Sequence, residues 1–234
     1  MTRKEDLQDS LARVKERIDA ATADAGRAPD SVTLLPVTKY HPVADIRALH
    51  ELGITAVGEN REQEARAKQS DFPAMDFHMI GQIQTKKANA VARWASAVHS
   101  VDSVRLAEAL DRGVGLALER GDRNSGVFPC FIQLSVDGDT ARGGVSTREL
   151  MQVAEAIESA THLDLAGLMC VPPIGWETEK SFSQAKGVLA GMEQYFDRTL
   201  EFSAGMSGDL AEAIRHGSTI VRVGTEILGP RPLP

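Results

Sequence analysis

Short apolar runs and helical repeats alternate along almost the whole chain, and that alternation restricts the fold more than any single motif does. Eight runs rich in Val, Ile, Leu and Phe read as strands, at 33–37, 55–57, 76–80, 97–101, 127–136, 163–168, 201–204 and 219–223. Between them, residues 43–52, 61–70, 86–94, 103–119, 147–159, 177–199 and 209–217 carry helical patterns. Unbroken alternation of this kind reads as parallel βα units rather than as a sandwich. Eight such units in 234 residues match the size and count of a (β/α)8 TIM barrel. A doubly wound sheet needs fewer strands and carries a dinucleotide fingerprint at its first turn. The Gly113 and Gly115 pair lies inside a helical pattern and is not such a loop.

Residues 4–25 place Leu7, Leu11, Val14, Ile18 and Ala21 on one face of an amphipathic helix that has no strand before it. After the last strand only GTEILGPRPLP remains, too little for an outer helix, so the opening helix is expected to fill the vacant place in the outer ring. The expectation is an α/β fold with one barrel domain over residues 1–234 and an extra N-terminal helix, with no linker or composition break to mark a second domain.

Hydrophobic residues at 42% and charged residues at 25% are ordinary for globular proteins, which argues against disordered, collagen-like and membrane classes. The net charge of −7 has the wrong sign for a protein that neutralises nucleic-acid phosphates, although a small anion held by local groups remains compatible. The charged N-terminus has no apolar signal region and no stretch is long enough to span a bilayer, so a cytoplasmic location is expected. Cys130 and Cys170 sit singly in apolar runs, where a thiol is usually a small buried hydrophobe.

In a barrel, chemistry belongs at the C-terminal ends of strands and in the loops that follow. The first strand ends in TLLPVTKYHP, which points Lys39 into the mouth, where an amine can form a Schiff base; the alternative is a solvated lysine before a turn. The seventh strand runs into SAGMSGD, crowding Ser203, Gly205, Ser207 and Gly208 before a helix, and the eighth supplies Gly224 and Thr225 beside them. Barrel phosphate sites are frequently built from these two loops. Asp209 and Glu212 could instead simply cap that helix.

Arg222 precedes Gly224 by two and faces the same side of its strand, inward, where it needs a partner. That partner is either a carboxylate such as Glu59 or Asp102, or a ring nitrogen of a ligand. Lysine, phosphate cradle and ring partner together describe pyridoxal 5′-phosphate. His78 and His99 lie within strands and read as hydrogen-bonded core residues; no spacing fits a metal motif, and no metal is assigned. Lys86 and Lys87 read as a solvated helix start, or as an exposed pair that helps capture an anion.

PVTKYHP, GENREQE, FHMIGQIQTKK, HSVD, GLMCVPP, SAGMSGD and IVRVGTEILG, in this order and spacing from about Leu34 to Pro230, resemble the YggS/PROSC family of pyridoxal phosphate homeostasis proteins. The resemblance implies a barrel similar to the N-terminal domain of alanine racemase, holding the cofactor as an internal aldimine. By position, it implies that Lys39 is the Schiff-base lysine, that Ser207, Gly224 and Thr225 cradle the phosphate, that Arg222 meets the pyridine nitrogen, and that Asn60 and Met206 line the pocket. Departures from the family pattern fall at Tyr40, Lys86-Lys87, Gln133 to Ser135 and Arg142-Gly143, and leave those groups intact.

An arginine cannot give up its proton at ordinary pH, so it favours an unprotonated ring nitrogen and a weaker electron sink than a carboxylate does. Racemisation survives that objection but needs a second acid/base, which alanine racemase takes as a tyrosine from a further domain of the partner subunit and which this sequence does not include. Tyr195 is expected on an outer helix, packed against the sheet, and Tyr40 is expected to point away from Lys39 if the chain there is still extended. The resulting expectation is a monomeric protein that binds pyridoxal phosphate and hands it to PLP-dependent apoenzymes, without robust catalysis. A PLP-dependent racemase and a phosphosugar isomerase or aldolase are the alternatives.

Overall fold

The structure is a computed structural model that describes residues 2–230. The strands are β1 (Thr33–Pro36), β2 (Ala56–Glu59), β3 (Asp76–Met79), β4 (Ala97–Val101), β5 (Phe128–Leu134), β6 (Leu163–Cys170), β7 (Glu201–Ser203) and β8 (Ile220–Val223). Helix α1 (Arg3–Asp24) opens the chain, and α2 (Val43–Glu51), α3 (Glu62–Asp71), α4 (Ala88–Trp94), α5 (Val104–Glu119), α6 (Thr147–Glu158), α7 (Thr178–Phe196), α8 (Leu210–Arg215) and α9 (Thr225–Leu228) follow β1 to β8 in turn. All strand pairs are parallel, in the order β1-β8-β7-β6-β5-β4-β3-β2. A single parallel bridge between Val37 and Gly58 joins the two ends and closes the barrel.

β4 and β8 are buried at every position, as strands are when helices cover one face and a barrel interior the other. The larger core lies between sheet and helices, with Phe77, Phe128, Phe182 and Phe202 fully buried in it. Leu35, Phe131, Met169 and Ile220 form a separate, smaller cluster on the inward positions of their strands and fill the barrel interior beneath its mouth.

Helix α1 takes the place in the outer ring that the sequence leaves open. Thr2 and Glu5 form a capping box at its start, and Leu7, Leu11, Val14, Ile18 and Ala21 are buried against α2, α8 and α9. Arg3 pairs with Asp45 of α2 at 2.7 Å and donates to the Leu228 carbonyl of α9 at 2.9 Å. Arg17 pairs with Glu226 of α9 and donates to the Ser207 carbonyl at 3.0 Å, so the same helix reaches the loop after β7. The tail after β8 does form one helical turn, α9, but it lies beside α1 rather than replacing it.

Several boundaries differ from the sequence reading. β2 extends to Glu59 and β6 to Cys170, because their polar or small residues are still paired to neighbouring strands. β5 stops at Leu134 rather than Val136, and a 3₁₀ turn at Thr85–Lys87 precedes α4. Tyr195 does not pack against the sheet. It is 60% exposed on α7 and its hydroxyl donates to Glu155 Oε1 of α6 at 2.8 Å.

Because α1 closes the outer ring through its apolar face, Leu7→Ala, at a fully buried position, is expected to destabilise the protein by about 2–5 kcal/mol. Urea unfolding followed by circular dichroism measures this, and a change under about 0.5 kcal/mol would mean that α1 is peripheral.

Candidate functional site

The C-terminal mouth of the barrel opens into a cavity of about 540 Å³. Lys39, Asn60, Met206, Ser207, Arg222, Gly224 and Thr225, the seven residues singled out from the sequence, all line it. Val37, Ile80, Met169 and Val171 give it an apolar floor and wall.

Lys39 enters from β1. The chain bridges β2 at Val37, Thr38 N–H donates to the Gly58 carbonyl at 3.0 Å, and the exposed Lys39 side chain then extends along the mouth. It has no hydrogen-bond or ion-pair partner among the described residues. The next residue is not extended. Tyr40 has φ of 69°, in the left-handed region, so its side chain does not take the alternate direction of a continuing strand and instead lines the same cavity. The expectation that it points away from the site is thereby corrected. The Arg61 guanidinium lies 5.1 Å from the centre of its ring.

The opposite wall comes from β7 and β8. After Ser203 the chain turns at Gly205, whose φ is 94° and where an added Cβ would lie 2.7 Å from the Ala213 Cβ. Only glycine fits there, and the turn carries Met206, Ser207 and Gly208 into the mouth. Asp209 stands at the N-cap position of the short α8 without a side-chain cap; its carboxylate instead accepts from Met206 N–H, while Arg17 holds the Ser207 carbonyl. A Cβ on Gly208 would meet nothing within 4 Å, so the loop beside Ser207 is open at that position. Gly224 packs closely on Val37, 3.2 Å from its carbonyl if a Cβ is added, and Thr225 begins α9 next to it.

Arg222 forms the floor. It is buried, and neither Glu59 nor Asp102 pairs with it. Its Nη1 donates to Ser203 Oγ at 2.8 Å and its Nη2 to the Cys170 carbonyl at 3.0 Å. Both partners are neutral. Burial pulls its pKa down to about 10, which leaves it protonated at neutral pH. Ser203 therefore faces inward, and its hydroxyl does not belong with the outward-facing group that the sequence suggested.

From Ser203 the hydrogen bonds continue to His99 Nδ1 at 2.8 Å and from His99 Nε2 to His78 Nδ1 at 3.0 Å. A guanidinium can only donate, so the Ser203 oxygen is the acceptor at the Arg222 end of this line. The two further hydrogen bonds, Ser203 Oγ with His99 Nδ1 and His99 Nε2 with His78 Nδ1, each carry one proton. Burial lowers the pKa of His78 to about 4 and that of His99 well below its ordinary value, so both are neutral. His99 also stacks on Phe131 at 4.2 Å. The core-histidine reading holds, but the link to Arg222 was missed; the signal for it was the inward strand position of Ser203.

Two buried polar atoms beside the mouth lack protein partners, Asn60 Oδ1 and Glu59 Oε2. Lys86 and Lys87 do not line the cavity; Lys87 pairs with Glu62 at 3.3 Å instead. Cys130 and Cys170 are buried, with burial raising both thiols, that of Cys170 to about 12. Among the described residues no three His, Cys, Asp or Glu side chains cluster to hold a metal, and no helix is long and apolar enough to cross a membrane.

The sequence model of the family described as alanine racemase, N-terminal domain, matches residues 10–232. A Corynebacterium glutamicum protein named pyridoxal phosphate homeostasis protein is 67% identical over 220 residues, covering 94% of this chain and 100% of its own. The structure of PipY from Synechococcus elongatus, solved with PLP bound, is 33% identical over 95% of this chain and 100% of that one, with a TM-score of 0.80. Alanine racemase from Corynebacterium glutamicum shares the fold, with a TM-score of 0.69 at 15% identity, over 94% of this chain and 60% of that one.

Because folding lowers the His78 pKa from 6.5 to about 4, the unfolded chain binds the extra proton. Stability is then full above about pH 6.5 and is lost progressively as the pH falls toward 4. Urea midpoints measured across this range are expected to fall, and His78→Gln should flatten that slope; an unchanged slope in the variant would mean that His78 is already charged in the native state.

Proposed function

The chain belongs to the family described as alanine racemase, N-terminal domain, and we propose that it binds pyridoxal 5′-phosphate as a carrier and buffer, through Lys39, without robust catalysis of its own. The observation that carries this reading is the placing of a lysine with no partner among the described residues and a buried arginine on one cavity. Arg222 is a buried cation whose hydrogen bonds among the described residues go to neutral groups, with Asp209 acting on it only at longer range, and an electron-rich ligand atom facing it would offset the cost of burial. The residues present fit the cofactor. The Ser207 and Thr225 hydroxyls, with open space at Gly208, suit a phosphate, and the Met169, Val171 and Ile80 side chains suit an aromatic face.

When bound, pyridoxal phosphate supplies an aldehyde that condenses with primary amines and a ring that withdraws electrons. Lys39 would take the aldehyde, Ser207, Gly224 and Thr225 the phosphate, and Arg222 the ring nitrogen, with Asn60 and Met206 against the sides. Arg222 would donate to that nitrogen and leave it unprotonated, which would weaken the electron sink on which transamination and decarboxylation depend. The name of the 67%-identical relative, a homeostasis protein, and the PLP-bound PipY structure support the same reading. Release to PLP-dependent apoenzymes from a monomeric, cytoplasmic protein completes the proposal.

One observation favours a second reading, a PLP-dependent racemase. Tyr40 lines the cavity beside Lys39, so a phenol is available as a second acid/base. Loss of the α-proton from amino acids in D₂O separates the two: the carrier reading predicts exchange far slower than ordinary enzyme turnover, about 1–1000 per second, and exchange within that range would overturn it.

Protein incubated with pyridoxal phosphate is expected to turn yellow and, after borohydride reduction, to carry the added mass on the peptide containing Lys39. Lys39→Ala should lose that label while keeping phosphate-dependent binding; an unchanged visible spectrum would overturn the assignment. Ser207→Ala should weaken cofactor retention by about 1.5–3 kcal/mol, the worth of a hydrogen bond to a charged group, which equilibrium dialysis measures.

A further inference from the structure

We propose that Lys68, with Glu59 and Glu64, is a positioning unit that fixes the backbone on both sides of Lys39 and so holds its amine toward the ligand. The inference rests on the reading of Lys39 as the residue that takes the aldehyde.

The seam between β1 and β2 has only the isolated Val37–Gly58 bridge, and Lys39 lies just beyond it. The strand ladder therefore does not define where Lys39 points. Side chains do. Lys68, on α3 and 6% exposed, places its ammonium under the seam and donates to the Thr38 carbonyl at 2.8 Å, to Glu59 Oε1 at 2.7 Å and to Glu64 Oε1 at 2.7 Å. An ammonium has three N–H bonds, and all three are used. Thr38 Oγ1 donates to the same Glu59 oxygen at 2.6 Å, and Glu64 Oε1 accepts from Tyr40 N–H at 2.5 Å. The residue before Lys39 is thus held by its carbonyl and hydroxyl, and the residue after it by its N–H.

The second hold matters because Tyr40 is in the left-handed region, which a residue bearing a side chain disfavours. Glu64 supplies a charged acceptor to the amide that enters this turn. Without it the chain would relax toward an extended path and swing the Lys39 Cα–Cβ bond.

Net stability does not explain the cluster. One buried ammonium with two carboxylates, one of them fully buried, gains little over apolar residues of the same shape, because desolvation offsets the attraction. What such a cluster supplies is a defined geometry. In the condensation the unprotonated Lys39 amine forms a C=N bond as the aldehyde C=O bond breaks, and the aldehyde oxygen leaves as water with the two amine hydrogens; its equilibrium follows the effective concentration of the amine at the aldehyde. The phosphate loops and Arg222 belong to other strands, so binding through them does not need the seam.

The experiment compares two ligands on the full chain: pyridoxal 5′-phosphate, and 4′-deoxypyridoxine 5′-phosphate, which lacks the aldehyde. For Lys68→Met, affinity for the deoxy analogue should stay within about threefold of the native protein, while borohydride-trapped label at Lys39 at a fixed sub-saturating pyridoxal phosphate concentration should fall by roughly tenfold or more. Glu64→Gln, which keeps an acceptor for Tyr40 N–H, should retain most of the label, whereas Glu64→Leu should lose it; this pair decides the matter if Lys68→Met does not fold. Equal losses for both ligands in folded variants, or no loss of label, would overturn the positioning role. Failure of the native protein to label at Lys39 would instead overturn the reading on which it rests.

Discussion

The Arg222 guanidinium, protonated and buried at the floor of the barrel mouth with only a serine hydroxyl and a backbone carbonyl as acceptors, is the interaction on which the rest of the site depends. A buried charge needs either a counter-charge or a strong dipolar environment, and carboxylates are absent from its described hydrogen bonds. A ligand acceptor at the mouth would complete its partners. The guanidinium donates to Ser203, whose hydroxyl is linked through His99 to His78, and burial keeps both imidazoles neutral. No positive charge competes with Arg222 along that line.

The scaffold places the other groups around this point through strand order. β1, β8 and β7 are neighbours, so the lysine, the arginine and the two loops come from one continuous side of the barrel. Their spacing is kept by packing at the seams: Gly224 against Val37, Gly205 against Ala213, and Arg17 of α1 against the Ser207 carbonyl. The opening helix therefore does more than cover the sheet. It also holds the loop that offers Ser207.

Much of this was legible in the sequence. Period-two and period-3.6 patterns locate all eight strands and the helices between them, because burial on both faces leaves unmistakable apolar runs such as AVHSV and IVRV. Strand-end reasoning collects Lys39, Ser207, Arg222, Gly224 and Thr225, and the family resemblance adds Asn60 and Met206; all seven line the cavity. What escaped was whatever depends on pairing across the barrel. Nothing in GENREQE announces that Glu59 meets Lys68 nine residues later in the chain rather than Arg222. The turn at Tyr40 was also hidden, because its left-handed conformation is carried by an ordinary tyrosine and stabilised by Glu64, a residue 24 positions away.

A crystal structure of the protein grown with pyridoxal 5′-phosphate tests the central claim most directly. The account predicts continuous density from Lys39 Nζ to the ligand, phosphate oxygens within about 3.2 Å of the Ser207 and Thr225 hydroxyls, and the ring nitrogen within about 3.2 Å of the Arg222 guanidinium. An unmodified Lys39, or a ligand whose phosphate lies at Lys87 and whose ring nitrogen faces a carboxylate, would contradict it.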